Sequence, residues 1–152
     1  MRRALAILAA GVSVFALGAC EKPLPEVSVQ TGTTYVSAPA TRYCFTLAKG
    51  PAGCRVTAAE PHEVPVREGA PIGIDVPQEV GGLWEVRLTA PDDPTYREKL
   101  TIPDTTHLSL TPQFGTSGRL NIDVVSAGAI GDIALEAGRW RFVLVERPTP
   151  ES

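Results

Sequence analysis

Arg119-Leu120-Asn121-Ile122-Asp123-Val124 alternates without a break: Leu120, Ile122 and Val124 point one way, and Arg119, Asn121 and Asp123 the other. Successive side chains of a strand point to opposite faces, whereas a helix would scatter these apolar residues around its axis. The segment reads as a strand with one buried and one wet face, the habit of antiparallel sheets that cover a core on one side only. Trp84-Glu85-Val86-Arg87-Leu88 and Arg139-Trp140-Arg141-Phe142-Val143-Leu144 have the same form. Both tryptophans share their strand face with aliphatic or aromatic neighbours, which places them in a core and not on a binding platform.

Weaker strands are expected at Glu26 to Gln30, Thr34 to Ser37, Arg42 to Leu47, Arg55 to Ala58, Glu63 to Val66, Ile72 to Val76, Arg97 to Ile102 and His107 to Leu110. Fourteen prolines and fourteen glycines punctuate them, and prolines such as Pro65 and Pro71 suit edge strands or first positions. Many short strands between regular turns predict an all-β domain, a single antiparallel β-sandwich. A small β-barrel has the same period and spacing and is the alternative. Leu135-Glu136-Ala137-Gly138-Arg139-Trp140-Arg141-Phe142 tilts the choice toward an immunoglobulin-like sandwich: it resembles the corner before a late core strand of such domains. Trp140 stands where those domains usually have tyrosine, so the hydroxyl hydrogen bond of that corner is missing. Ser126 to Ala137 fits either one helical turn or an extended loop.

Residues 1–19 follow the order of a signal peptide, with Arg2 and Arg3 ahead of an uncharged run from Ala4 to Leu17. That run is shorter than the roughly 20 residues a bilayer span needs. Leu17-Gly18-Ala19-Cys20 resembles the bacterial lipobox, whose cysteine receives a diacylglyceryl group and becomes the first residue after cleavage. The alternative is an ordinary secretory signal with a cysteine after its cleavage site. Three cysteines are an odd number for an exported chain, and lipidated Cys20 is the natural one left over. Cys44 and Cys54 then form a disulfide, stable in that compartment. They flank Lys49-Gly50-Pro51-Ala52-Gly53 and staple a single hairpin, a loop whose closure removes roughly 3 kcal/mol of unfolded-chain entropy. Antibody-type bridges instead join two sheets. Which hairpin face is buried stays open, because Tyr43, Phe45 and Leu47 alternate on one face and Cys44 shares the other with Arg42 and Thr46, yet Cys54 shares its strand face with Val56.

Cleavage leaves 133 residues, room for one domain with its own core. The expected organisation is a cleaved signal over 1–19, a lipidated cysteine and tether over 20–26, a sandwich over 27–147 and a disordered tail over 148–152. The mature chain has 12 basic and 17 acidic residues, a formal charge of −5. This balance excludes a nucleic-acid partner and leaves membrane affinity to the acyl chains. The tether, with Pro23 and Pro25, reaches at most ~20 Å, so the domain sits close to the extracytoplasmic face of the cell membrane.

No catalytic residue, cofactor or metal ligand is expected. A nucleophilic hydrolase needs a nucleophile, a base and an oxyanion site, and the chain has no Gly-x-Ser-x-Gly elbow. Its two histidines, His62 between Glu60 and Glu63, and His107 alternating away from Leu108 and Leu110, read as solvated strand positions. Asp92-Asp93 between Pro91 and Pro94, and Asp104, offer hard oxygens, but Ca²⁺ takes six to eight in a spaced acidic loop, so a turn is the better reading. Tyr35 and Tyr96 are the aromatics expected at the surface.

The layout is similar to a family of small actinobacterial lipoproteins known as a domain of unknown function. The lipobox, the proline-containing tether, Tyr43-Cys44 with Cys54, Ile74-Asp75-Val76-Pro77 before Leu83-Trp84, and the late Trp140-Arg141-Phe142 carry the resemblance. It implies localisation and a lipid on Cys20, and assigns no catalytic residue. Two functions are expected from the chain: a non-catalytic protein-binding or scaffolding module of the envelope, or a carrier of a small hydrophobic ligand or lipid.

Overall fold

A computed structural model describes residues 22–148. The expected signal peptide, Cys20 and the expected tail after Pro148 lie outside the described residues. Eleven strands run in chain order: β1 (Glu26–Thr31), β2 (Thr34–Pro39), β3 (Arg42–Cys44), β4 (Cys54–Val56), β5 (His62–Arg67), β6 (Ile72–Asp75), β7 (Leu83–Ala90), β8 (Asp93–Pro103), β9 (His107–Leu110), β10 (Arg119–Ile130) and β11 (Ile133–Arg147). A 3-10 segment, Leu47–Gly53, joins β3 to β4.

The strands form two sheets packed face to face and not closed into a barrel, the expected sandwich. The smaller has the order β2-β1-β6-β9, and the larger β4-β3-β11-β10-β7-β8. Neighbours are antiparallel except β5, which runs parallel to β11 from Phe142↔His62 to Arg147↔Arg67. β3 pairs with the same edge of β11 earlier, at Gly138 and Arg139, so this 15-residue strand receives two partners end to end on one side. Alternation does not encode strand direction, which is why the parallel pairing is invisible in the sequence.

The three diagnostic strands bury the predicted faces. Trp84, Val86 and Leu88 of β7, Leu120, Ile122 and Val124 of β10, and Trp140, Phe142 and Leu144 of β11 meet Val27 and Val29 of β1 and Ile72 and Ile74 of β6 in one core. Each such side chain contributes roughly 1.5–3 kcal/mol when fully buried. Prolines within strands, Pro39, Pro65, Pro94 and Pro103, all fall on β2, β5 or β8, which pair on one side only. A proline there removes no ladder hydrogen bond that a central strand would need.

Ser126 to Ala137 is neither helix nor loop. β10 continues to Ile130, turns at Gly131-Asp132 and returns as β11 from Ile133, with one register shift after Ser126. Gly131 has φ 58 at the first central position of the turn, where the primed hairpin turns require positive φ. At the other hairpin, β3 ends at Cys44 and not at Leu47, since Gly50 (φ 57) and Pro51 bend the chain. Cys44 and Cys54 are opposite each other and disulfide-bonded, as expected. Tyr43 is half-buried against the core, its ring 6.1 Å from that of Trp140, while on the disulfide's face Cys44 is buried and Val56 is 71% exposed.

The missing tyrosine-corner bond has a substitute. The indole Nε1 of Trp140 donates to the carbonyl of Pro25 at 2.8 Å, in the buried interior. Trp84 satisfies its own N–H on Thr105 O at 2.7 Å. Removing a fully buried tryptophan leaves a cavity as well as lost transfer energy. Trp140→Ala is expected to lower stability by about 3–5 kcal/mol in urea denaturation followed by circular dichroism. Trp140→Phe should cost much less, because Ala40 N still donates to Pro25 O.

Candidate functional site

Among the described residues, β8 is the last strand of the large sheet and is hydrogen-bonded to β7 alone. Its side chains explain why it forms: Thr95, Tyr96, Leu100, Thr101 and Ile102 are β-branched, aromatic or aliphatic. Ile102 stands opposite Trp84, and Leu100 opposite Val86, both on the core face. Pro94 and Pro103 lie near its ends, leaving Thr95 to Ile102 free of proline. Half of the backbone N–H and C=O groups of such an edge face outward, ready to pair with another strand. Arg97, Glu98 and Lys99 sit at its middle and are exposed. Charges on an edge disfavour indiscriminate pairing and leave it open to a complementary strand.

Tyr96, expected at the surface, is instead half-buried against the core. Its hydroxyl donates to Glu98 Oε2 at 3.2 Å; burial, and then that bond, push the phenol upward from its ordinary pKa. Tyr35 is exposed, at 66%, on edge strand β2.

A charged network covers the outer face of the large sheet. Lys99 Nζ lies 2.6 Å from Glu85 Oε1, Arg87 2.9 Å from Glu85 Oε2 and 3.7 Å from Glu136, and Arg139 2.7 Å from Glu136. Burial raises the Glu85 carboxyl, but the hydrogen bonds and charges of Lys99 and Arg87 overcome it and hold the group below its ordinary value. The Arg87–Glu136 link spans β10, where Val125 of the outer face is 3% exposed. Beside it, Arg42, Arg139 and Arg141 line a cleft of about 230 Å³ with Thr41, Thr57 and Val56. Two of these guanidiniums already face carboxylates, Arg139 on Glu136 and Arg141 at 3.7 Å from Asp123.

The sequence candidates are not gathered into one place. His62 opens β5 with its ring 6.4 Å from Phe142, and the neighbouring Glu63 is occupied by Arg119 at 2.7 Å. His107 is paired: its Nδ1 lies 2.7 Å from Asp75 Oδ1, both side chains half exposed on the small sheet. The β6–β9 register places them opposite each other. An imidazole so held keeps its Nε2 for solvent or a ligand. The alternations Ile74-Asp75-Val76 and His107-Leu108 were the only signals in the sequence, and neither shows that the strands are neighbours. Among the described residues, no group of three or more His, Cys, Asp or Glu side chains is placed to hold a metal ion.

Asp92 occupies the β7–β8 turn and acts as a clasp. It accepts from Thr116 Oγ1 at 2.6 Å, Ser117 N at 2.8 Å and Ser117 Oγ at 2.9 Å. Asp93 accepts from Thr95 N and Oγ1 at the start of β8. Asp104 holds a left-handed turn with φ 49, a conformation aspartate tolerates, and its N–H donates to Gly82 O.

Hydrogen bonds from Thr116 and Ser117 lower the Asp92 pKa to about 2. A depressed pKa adds stability above the unfolded value near 4, and that increment disappears as pH falls toward 2. Thermal unfolding of wild type against Asp92→Asn should therefore show a constant gap above about pH 5 that closes between pH 4 and 2. Comparison with protein-family models, with curated proteins and with solved structures found no match.

Proposed function

We propose that the chain is a lipoprotein anchored by Cys20 on the extracytoplasmic face of the bacterial cell membrane, where its sandwich serves as a non-catalytic module that binds an envelope protein. The observation that carries the binding reading is the 11-residue β8, paired on one side only, with its open edge uninterrupted by proline from Thr95 to Ile102. A partner strand added there would take affinity from backbone hydrogen bonds and specificity from alternate side chains. The row Arg97-Glu98-Lys99 selects the partner by charge. Supporting the anchor are the Leu17-Gly18-Ala19-Cys20 motif and the short tether.

Two measurements test this reading. Cys20→Ser should abolish the diacylglyceryl mass on the N-terminal peptide and release the protein from the membrane fraction. Photoreactive residues placed in living cells at Arg97 or Thr101 on β8, and at Tyr35 as a reference, should give one dominant protein adduct from β8 and none from position 35. Arg97→Glu should then remove it. Lipid or small-molecule adducts gathered around an opening would favour a carrier instead, and uniform labelling would sink the binding-module reading.

A further inference from the structure

β10 outgrows the sheet it belongs to. Its pairing with β7 ends at Ser126↔Trp84, yet β10 and β11 stay paired to Ile130↔Ile133. The result is a two-stranded finger, Ala127 to Glu136, beyond the edge of the neighbouring strand. A lone two-stranded ribbon is marginal in water, and this one has an unusual surface. From Val124 to Leu135 the only charged residue is Asp132, at the turn. Ile130 and Ile133 lie directly opposite each other, and Leu135 follows on the same face opposite Gly128. Their exposures are 41%, 64% and 38%, and Leu83, the β7 residue before Trp84 where the pairing with β10 ends, is 45% exposed. Four of the six exposed large hydrophobics therefore gather at one end of the sandwich.

The start of the described chain is at the same end. Trp140 holds Pro25, and from there the chain climbs until Arg55 Nη1 donates to Lys22 O at 3.1 Å and Lys22 Nζ stands 5.4 Å from the Phe45 ring centroid. Phe45 leads into the 3-10 segment, and Leu47 packs over Gly128 in the space a Cβ there would take. Lys22 is thus linked through Phe45 and Leu47 to the base of the finger. Cys20 is two residues further, at most ~7 Å of chain. Lys22 and Lys49 are exposed at this end and complement anionic headgroups.

We propose that the β10–β11 finger docks Ile130, Ile133 and Leu135 into the lipid surface beside the Cys20 anchor, fixing the orientation of the sandwich on the membrane. The proposal rests on the anchoring of Cys20 put forward above. Exposed apolar residues at a protein's end suit an interfacial membrane contact, the finger's own charges being Asp132 at its turn and Glu136 at its base, and acyl chains at Cys20 hold this end of the molecule at the bilayer. Docked in this way, the sandwich presents the opposite end, with the β1–β2 turn and Arg147, away from the membrane.

The test uses full-length mature protein purified from membranes and reconstituted in vesicles of phosphatidylcholine and phosphatidylglycerol. Ile133→Cys and, at the opposite end, Tyr35→Cys each add one free thiol, since Cys44 and Cys54 are bonded and Cys20 is acylated. Both sites are exposed, so neither change touches the core. Each thiol takes an environment-sensitive fluorophore, and quenching by nitroxide-labelled lipid is read beside the mass of the N-terminal peptide. The expected result is several-fold stronger quenching at position 133 than at 35. Equal, weak quenching at both positions with lipid present on Cys20 would overturn the docking and leave the anchor standing. A blue shift at 133 without quenching would place the finger against protein and likewise overturn it. Absence of lipid on Cys20 would remove the anchor reading and this inference together.

Discussion

The hydrogen bond from the buried Trp140 indole to the carbonyl of Pro25 joins the last strand of the chain to the segment that enters the first. An indole N–H out of water needs a partner, and this one is supplied by a residue 115 positions away. This contact sets the entry to β1 beside β11, where the two sheets face each other around Trp140, Phe142 and Leu144. β11 is also the seam of the large sheet, with β10 on one side and β3 and β5 in succession on the other. The disulfide hairpin follows from the same strand, because β3 pairs with β11 next to the tryptophan.

Outside that core, the surface divides into polar structure that is satisfied internally and edges that are left open. Exposed ion pairs contribute little one at a time. The network from Lys99 to Arg139 matters instead as a cover over Val125, which would otherwise be an apolar residue on a solvent face. Asp92 uses three hydrogen bonds to tie the β7–β8 turn to the Thr116-Ser117 segment. The sequence favoured a turn over a ligand site at this carboxylate between prolines, and its donors here are two hydroxyls and an amide.

The molecule is polar in the sense that its ends differ. One end gathers the finger, Leu83, the 3-10 segment and the beginning of the described chain, while the other has the β1–β2 turn and the close of β11. A cleft of about 420 Å³ at the latter end is lined by Thr31, Thr34, Pro65, Arg67 and Arg147 among others. The long open edge of β8 runs between the two ends, so an anchored sandwich would offer it sideways along the membrane surface.

Alternation in the sequence was enough to place β7, β10 and β11 and their buried faces, because a period of two depends only on which residues leave water. Cysteine number was enough for the Cys44–Cys54 bridge, and Pro65 marked β5 as a strand with a free side, while Pro71 stands just ahead of the central strand β6. What the sequence left undecided were relations between strands far apart in the chain. Whether Tyr43 or Cys44 faced inward depended on the pairing of β3 with β11. The meeting of His107 with Asp75 depended on β9 lying beside β6, and the direction of β5 on which edge of β11 remained free. The stretch from Ser126 to Ala137 became a finger because each half is the other's partner. Local pattern determines which side of a strand seeks the core; only the assembled sheets determine which strand lies next to it, since those contacts are chosen by packing and register and not by neighbours in the chain.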